Sequence, residues 1–188
     1  TSSVVKNEIN QTLNDQKVGE RIREGFKIAI LGPPNAGKSS LLNYISRREV
    51  AIVSEIAGTT RDVIETHLNI DGYPVVMSDT AGIREAQDEI EQKGIKLALK
   101  KAQNADLNIV VIEPKNGYFT GVLKGLVNSE NTILVVNKSD LGINKIEKEL
   151  KNFNPIYISI KNDENLNKII SNIRSKLKNK FISTENTI

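Results

Sequence analysis

The chain has 188 residues, no cysteine, 38% hydrophobic and 26% charged residues, and 26 basic against 23 acidic side chains for a net charge of +3. These values match one ordinary globular domain that buries about 70% of its extended surface. They exclude disulfide frameworks, thiol nucleophiles and thiolate metal sites. No apolar run suits a transmembrane span or a signal peptide, and the charge is too small and interleaved to mark a nucleic-acid face; a cytoplasmic protein without membrane partners is expected.

Residues 1 to 18 predict a helix with Val5, Ile9 and Leu13 four apart, yet it precedes the first strand and has no evident partner in the fold. The chain begins with Thr and both ends read as helix, so it is expected to be a piece excised from a longer polypeptide. On this reading 1–24 end a preceding helical segment and its linker, 25–180 form the domain, and 181–188 lead towards a helical domain that the chain lacks.

Short β-branched runs then alternate with helical patterns. Phe26 to Leu31, Val75 to Met77, Leu107 to Ile112, Ile133 to Val136 and Ile156 to Ile158 are apolar without alternation, which predicts strands covered on both faces. Val63 to Ile70 alternates instead, with Ile64, Thr66, Leu68 and Ile70 on one side, and turns at Asp71-Gly72. It predicts an antiparallel hairpin strand at an edge. Leu166, Ile169, Ile170, Ile173 and Leu177 predict an amphipathic helix behind an Asn162/Asp163 cap. The expected fold is α/β in three layers: a mainly parallel sheet of about six strands, one antiparallel edge strand, and helices on both faces.

Directly after the first strand, Gly32-Pro33-Pro34-Asn35-Ala36-Gly37-Lys38-Ser39 satisfies G-x-x-x-x-G-K-[ST] and opens a helix that continues through Ser40, Leu41 and Ile45. Glycines let successive N–H groups converge on phosphate oxygens at a helix N-terminus, Lys38 reaches the β and γ phosphates, and the Ser39 hydroxyl ligates Mg²⁺. The third strand ends on Asp79, which opens the turn Asp79-Thr80-Ala81-Gly82. Asp79 can hold Mg²⁺ through water, and the Gly82 N–H is the candidate γ-phosphate sensor.

Asn137-Lys138-Ser139-Asp140 follows another strand at its carboxyl end, where open α/β sheets bind ligands. An ionised Asp140 offers only acceptors, which match the ring N–H and exocyclic amine of guanine, whereas adenine would leave a buried charge unpaired. Asn137 can join the base to neighbouring backbone, and the Lys138 stem can cover the ring. Ser159-Ile160-Lys161 follows the last strand, where such proteins place S-A-K, so Ile160 departs from the usual alanine.

These motifs resemble the translation-factor-related class of P-loop GTPases over about residues 25 to 180. The Ras-like water-orienting glutamine after Asp-x-x-Gly is here Ile83, which cannot polarise water. Asn35 in the loop and Ser54-Glu55-Ile56-Ala57-Gly58-Thr59-Thr60-Arg61-Asp62 resemble potassium-activated GTPases. That resemblance implies K⁺ held by Asn35 and the Ser54, Ile56 and Thr59 positions, with Thr60 joining Ser39 and Asp79 on Mg²⁺. The ion would neutralise charge on the β–γ bridge as an arginine finger does. The run Ile83 to Ile95, with P-N-A-G-K-S-S-L-L-N and I-A-G-T-T-R-D-V, is similar to the tRNA-modification GTPase family MnmE (TrmE). In that family the glutamate at the position of Glu91 orients water.

The family resemblance implies GTP and GDP as ligands, pairing of G domains across the switches in the GTP state, and a full-length protein acting with MnmG (GidA) on carbon 5 of the wobble uridine in tRNA. Two alternatives stand beside it: a Der-like ribosome-assembly GTPase domain, which shares the loop Asn and D-T-A-G-I, and a GTP-gated binding module with little hydrolysis. Arg23 to Lys27 and the run around Glu91 favour MnmE. Lys145, Lys148 and Lys151 read as a solvated helix face, and His67, the only histidine, falls on the polar side of its strand.

Overall fold

The structure, a computed structural model, describes residues 3–10, 12, 19, 24–51, 64–80, 89–114, 121–143 and 146–185. Residues 3–10 are helical. The strands are β1 (Phe26–Leu31), β2 (Val50–Ala51), β3 (Ile64–Ile70), β4 (Tyr73–Asp79), β5 (Leu107–Ile112), β6 (Thr132–Val136) and β7 (Ile156–Tyr157). The helices that follow β1 are α1 (Lys38–Arg48), α2 (Glu89–Asn104), α3 (Gly121–Val127), α4 (Glu147–Leu150) and α5 (Leu166–Glu185). The sheet order is β2-β3-β4-β1-β5-β6-β7, with β4, β1, β5, β6 and β7 parallel.

Among the described strands, β3 alone runs antiparallel to two neighbours, β2 and β4. The two-residue β2 pairs beyond it, so the antiparallel strand lies one place in from the edge and the described sheet has seven strands. The β3–β4 hairpin closes through Asp71 (φ 52°) and Gly72 (φ 86°), between the paired residues Ile70 and Tyr73. Both turn residues are left-handed, as a two-residue turn that follows the strand twist requires. The Gly72 N–H also donates to Asn69 Oδ1 at 2.8 Å.

The apolar runs become strands because period-two side chains reach a separate core on each face. Phe26, Ile28, Ile30, Leu107, Ile109, Val111, Ile133 and Val135 join α1 and α5 on one face. Ala29, Leu31, Val110, Ile112, Leu134 and Val136 join α2, α3 and Leu150 on the other. Each such Leu or Ile stabilises the fold by about 1.5–3 kcal/mol relative to exposure.

All five predicted apolar positions of α5, from Leu166 to Leu177, are buried. The helix begins three residues beyond the predicted Asn162/Asp163 cap. Those residues instead form a turn in which the Asn162 N–H donates to Ser159 Oγ and the Asp163 N–H to the Ile160 carbonyl. At the far end Phe181 stacks on Tyr73 with ring centroids 4.5 Å apart. No helix of the described residues is long and apolar enough to cross a membrane.

Candidate functional site

The loop between β1 and α1 is shaped by close approach. Gly32 has φ 146°, and a Cβ there would lie 2.0 Å from the Val111 carbonyl oxygen of β5. Asn35 adopts φ 61°, a left-handed conformation that asparagine tolerates better than most residues. Gly37, at φ 103°, precedes α1, and a Cβ there would lie 2.2 Å from Asn137 Nδ2. The first turn of α1 has no side-chain cap and no acidic residue. Its N–H groups and positive dipole end are therefore left to an anion.

Lys38 is 7% exposed and donates to the Pro33 carbonyl at 2.7 Å. Burial lowers its ammonium pKa below 10.5, and the nearby Asp79 charge acts in the opposite direction. An ammonium held under those conditions gains from a polyanionic ligand.

Parallel pairing sets Asp79, the last residue of β4, beside Ile30 of β1. The Ser39 hydroxyl donates to Asp79 Oδ2 at 2.6 Å, while Asp79 Oδ1 is buried without a partner among the described residues. A hydroxyl and a carboxylate with a spare oxygen form the hard donor set that Mg²⁺ takes, so these residues fit that ion. Thr80 is also buried, but its hydroxyl donates to the Ile30 carbonyl at 2.8 Å, pinning β4 to β1.

The guanine motif reaches the same cleft from β6. Asn137 is 4% exposed, donates from Nδ2 to the Ala36 carbonyl at 2.9 Å, and accepts the Ile160 N–H on Oδ1 at 3.2 Å. One side chain thus ties the phosphate loop to the Ser159-Ile160-Lys161 turn. Fully buried Ser159 donates its hydroxyl to Asp140 Oδ1 at 2.7 Å, which aims the carboxylate and leaves Oδ2 to accept from a base. Lys138, at φ 60°, donates from Nζ to the Asn35 carbonyl at 2.7 Å and pairs with Glu113. The resulting cleft of about 620 Å³ is lined at one end by Gly37, Lys38, Ser39 and Ser40 and at the other by Asp140, Ile160 and Lys161. That volume suits one nucleotide-sized ligand.

Sequence reasoning missed Leu141, which lines the base end, and Glu113, which pairs with Lys138. The available signal for Glu113 was an acidic residue immediately after a wholly buried strand, at the carboxyl edge where ligands bind. His67 is half-buried in a second cleft of about 470 Å³ that shares no lining residue with the first. Ser54, Glu55, Ile56, Ala57, Gly58, Thr59, Thr60, Ala81, Gly82 and Ile83 lie outside the described residues. Glu91 falls in the first turn of α2, with its side chain outside them.

A profile of the 50S ribosome-binding GTPase family matches residues 27–182. The chain is 65% identical over 180 residues to a Pelagibacter ubique protein named tRNA modification GTPase MnmE, covering 96% of this chain and 40% of that one. It is 47% identical over 189 residues to a protein of the same name from Rickettsia bellii, covering 98% and 42%. The chain therefore spans about two fifths of the length of these relatives, and the likeness to MnmE read from its motifs extends across almost all of it. Among solved structures, Era from Aquifex aeolicus bound to GDP and aluminium fluoride aligns with TM-score 0.59 and 28% identity, over 78% of this chain and 55% of that one. The G domain of the Thermotoga maritima FeoB iron transporter aligns with TM-score 0.59 and 26% identity, over 81% and 98%. With a phosphate loop, a magnesium-type Ser–Asp pair and a guanine-type loop on one cleft, this chain belongs to the 50S ribosome-binding GTPase family and is a GTPase domain.

Proposed function

We propose that the domain is the K⁺-stimulated, GTP-hydrolysing switch of a cytoplasmic protein that acts with an MnmG (GidA) partner on carbon 5 of the wobble uridine in tRNA. The observation that carries the reading is the 65% identity, across nearly the whole chain, to a protein named tRNA modification GTPase MnmE. In this reading 25–180 are the G domain, 1–24 end a preceding helical segment, and 181–188 lead into a helical domain.

Asn35, with the Ser54, Ile56 and Thr59 positions, holds K⁺ against the phosphates; Ser39, Thr60 and Asp79 hold Mg²⁺. Bound there, the two cations supply positive charge where phosphoryl transfer develops negative charge. Ile83 is aliphatic and cannot orient water; the likeness to MnmE gives that task to Glu91. Ala81, Gly82 and the residues from Ser54 to Thr60 follow the γ-phosphate, and G domains pair across them when GTP is bound.

The test is GTP hydrolysis by this domain in K⁺ and in Na⁺ at matched ionic strength, with Asn35→Ala and Glu91→Ala in parallel. The reading expects stimulation by K⁺, its loss in Asn35→Ala, and a lower rate in saturating K⁺ for Glu91→Ala. A rate indifferent to the cation and to both substitutions makes this a GTP-gated binding module whose catalyst lies elsewhere. Restoration of wobble-uridine modification when the domain replaces its counterpart in an MnmE-deficient cell separates tRNA modification from a Der-like role.

A further inference from the structure

Lys138 has an anchor that none of the nucleotide motifs names. Glu113 directly follows β5, its side chain is 12% exposed, and its Oε2 accepts from Lys138 Nζ, the same ammonium that donates to the Asn35 carbonyl at 2.7 Å. Three loops meet at this nitrogen: the β5 end, the guanine motif and the phosphate loop. A lysine side chain has a flexible four-carbon stem, and one neutral carbonyl is a weak restraint on it. A largely buried carboxylate adds a charge-assisted bond, which is shorter and stronger than a neutral one. It also neutralises a half-buried ammonium. Lys138 meanwhile sits in a left-handed conformation that few non-glycine residues adopt, and the surrounding contacts have to hold it there.

We propose that Glu113 is a positioning residue of the nucleotide site. It fixes the Lys138 ammonium so that the stem stays along the base end of the cleft and the ammonium stays on the Asn35 carbonyl, locking the base loop to the phosphate loop. Glu113 touches neither base nor phosphate in this scheme and acts on the nucleotide through Lys138. Because Lys138 restrains the same residue that the proposed function assigns to K⁺, Glu113 also sets how readily Asn35 accepts the ion; this second consequence rests on that reading, the first does not.

The experiment compares the parent domain with Glu113→Gln, Glu113→Asp, Lys138→Met and the Glu113→Gln/Lys138→Met double variant. The readouts are affinity for fluorescent GDP and non-hydrolysable GTP, the K⁺ concentration for half-maximal hydrolysis, and the thermal midpoint. Glu113→Gln is expected to weaken GDP and GTP binding equally, by about tenfold, and to raise the half-maximal K⁺ concentration. Glu113→Asp should recover part of the affinity, and Glu113→Gln should add nothing on the Lys138→Met background. Unchanged affinity in Glu113→Gln, or equal losses with and without Lys138, overturns the proposal even where the thermal midpoint falls. A parent domain indifferent to K⁺ overturns the potassium reading alone, because the affinity comparison still decides the role of Glu113.

Discussion

The Asn137 side-chain amide donates to the Ala36 carbonyl at 2.9 Å across a sequence separation of 101 residues, while its oxygen accepts the Ile160 N–H at 3.2 Å. The residue that reads as a base contact is thus also the brace between three loops. Asn137→Ala strands a buried carbonyl and a half-buried N–H, each costing roughly 1–3 kcal/mol. The expected result is a loss of about 2 kcal/mol or more in urea unfolding, together with weaker GDP binding. Asn137→Asp keeps the acceptor for Ile160 but sets a carboxylate against the Ala36 carbonyl, so it should not rescue.

Gly32 and Gly37 should fail differently. Alanine at Gly32 meets a backbone carbonyl at 2.0 Å in the middle of the sheet, and the strand cannot yield. Gly32→Ala is therefore expected to destabilise the domain by roughly 3 kcal/mol or more, read as a fall in thermal midpoint. At Gly37 the obstacle is the Asn137 amide, a side chain that can move. Gly37→Ala should keep more of the fold, lose most nucleotide affinity, and show the two defects separately when melting curves are set beside GDP titrations.

In the proposed reading Asp140 recognises the base, with a carboxylate that Ser159 holds at one oxygen. Asp140→Asn replaces an acceptor by an N–H donor, which opposes the guanine amine and suits the second carbonyl of xanthine. A change in preference from GTP towards xanthosine triphosphate of about 10²-fold or more is expected, measured by competition against labelled GDP. Ser159→Ala leaves the carboxylate chemistry unchanged and should weaken binding by about tenfold without changing that preference.

Burial depresses the pKa of Lys38 in the folded domain below 10.5. Between the folded and unfolded values the unfolded chain binds more protons, so the stability of the nucleotide-free domain should rise with pH across that window and fall as pH drops through the folded value. Lys38→Met keeps the stem and removes the ammonium. It should abolish that slope without lowering stability at neutral pH, while GDP affinity falls about 10–100-fold. A steep slope that persists in Lys38→Met, measured by denaturant unfolding from pH 7 to 10, assigns the dependence to another group.

Much of the site was readable in the chain because its determinants are local. The phosphate loop depends on φ values that glycine and asparagine supply within eight residues, from Gly32 to Ser39. The strands announced themselves because strands buried on both faces are mostly apolar, Lys27 and Asn108 being exceptions in β1 and β5, and the hairpin because Asp71-Gly72 supports two left-handed residues in succession. Even the base-reading chemistry of Asp140 follows from a carboxylate having only acceptors.

What the tertiary structure decided are the pairings between distant segments, which depend on strand order and register. Parallel pairing of β1 with β4 sets Asp79 within 2.6 Å of Ser39 through its Oδ2, and it also turns the Thr80 hydroxyl onto Ile30. The antiparallel β3 lies inside a two-residue β2, an arrangement too short to leave a periodic pattern. Asn137 bracing Ala36, Glu113 holding Lys138 and Phe181 stacking on Tyr73 join residues that share no local motif. Sequence alone determined which loops can bind phosphate and guanine, because backbone dihedrals and hydrogen-bonding chemistry are properties of a few neighbouring residues. Only the fold decided which side chains hold those loops in one rigid cleft, because that requires strands separated by tens of residues to lie side by side.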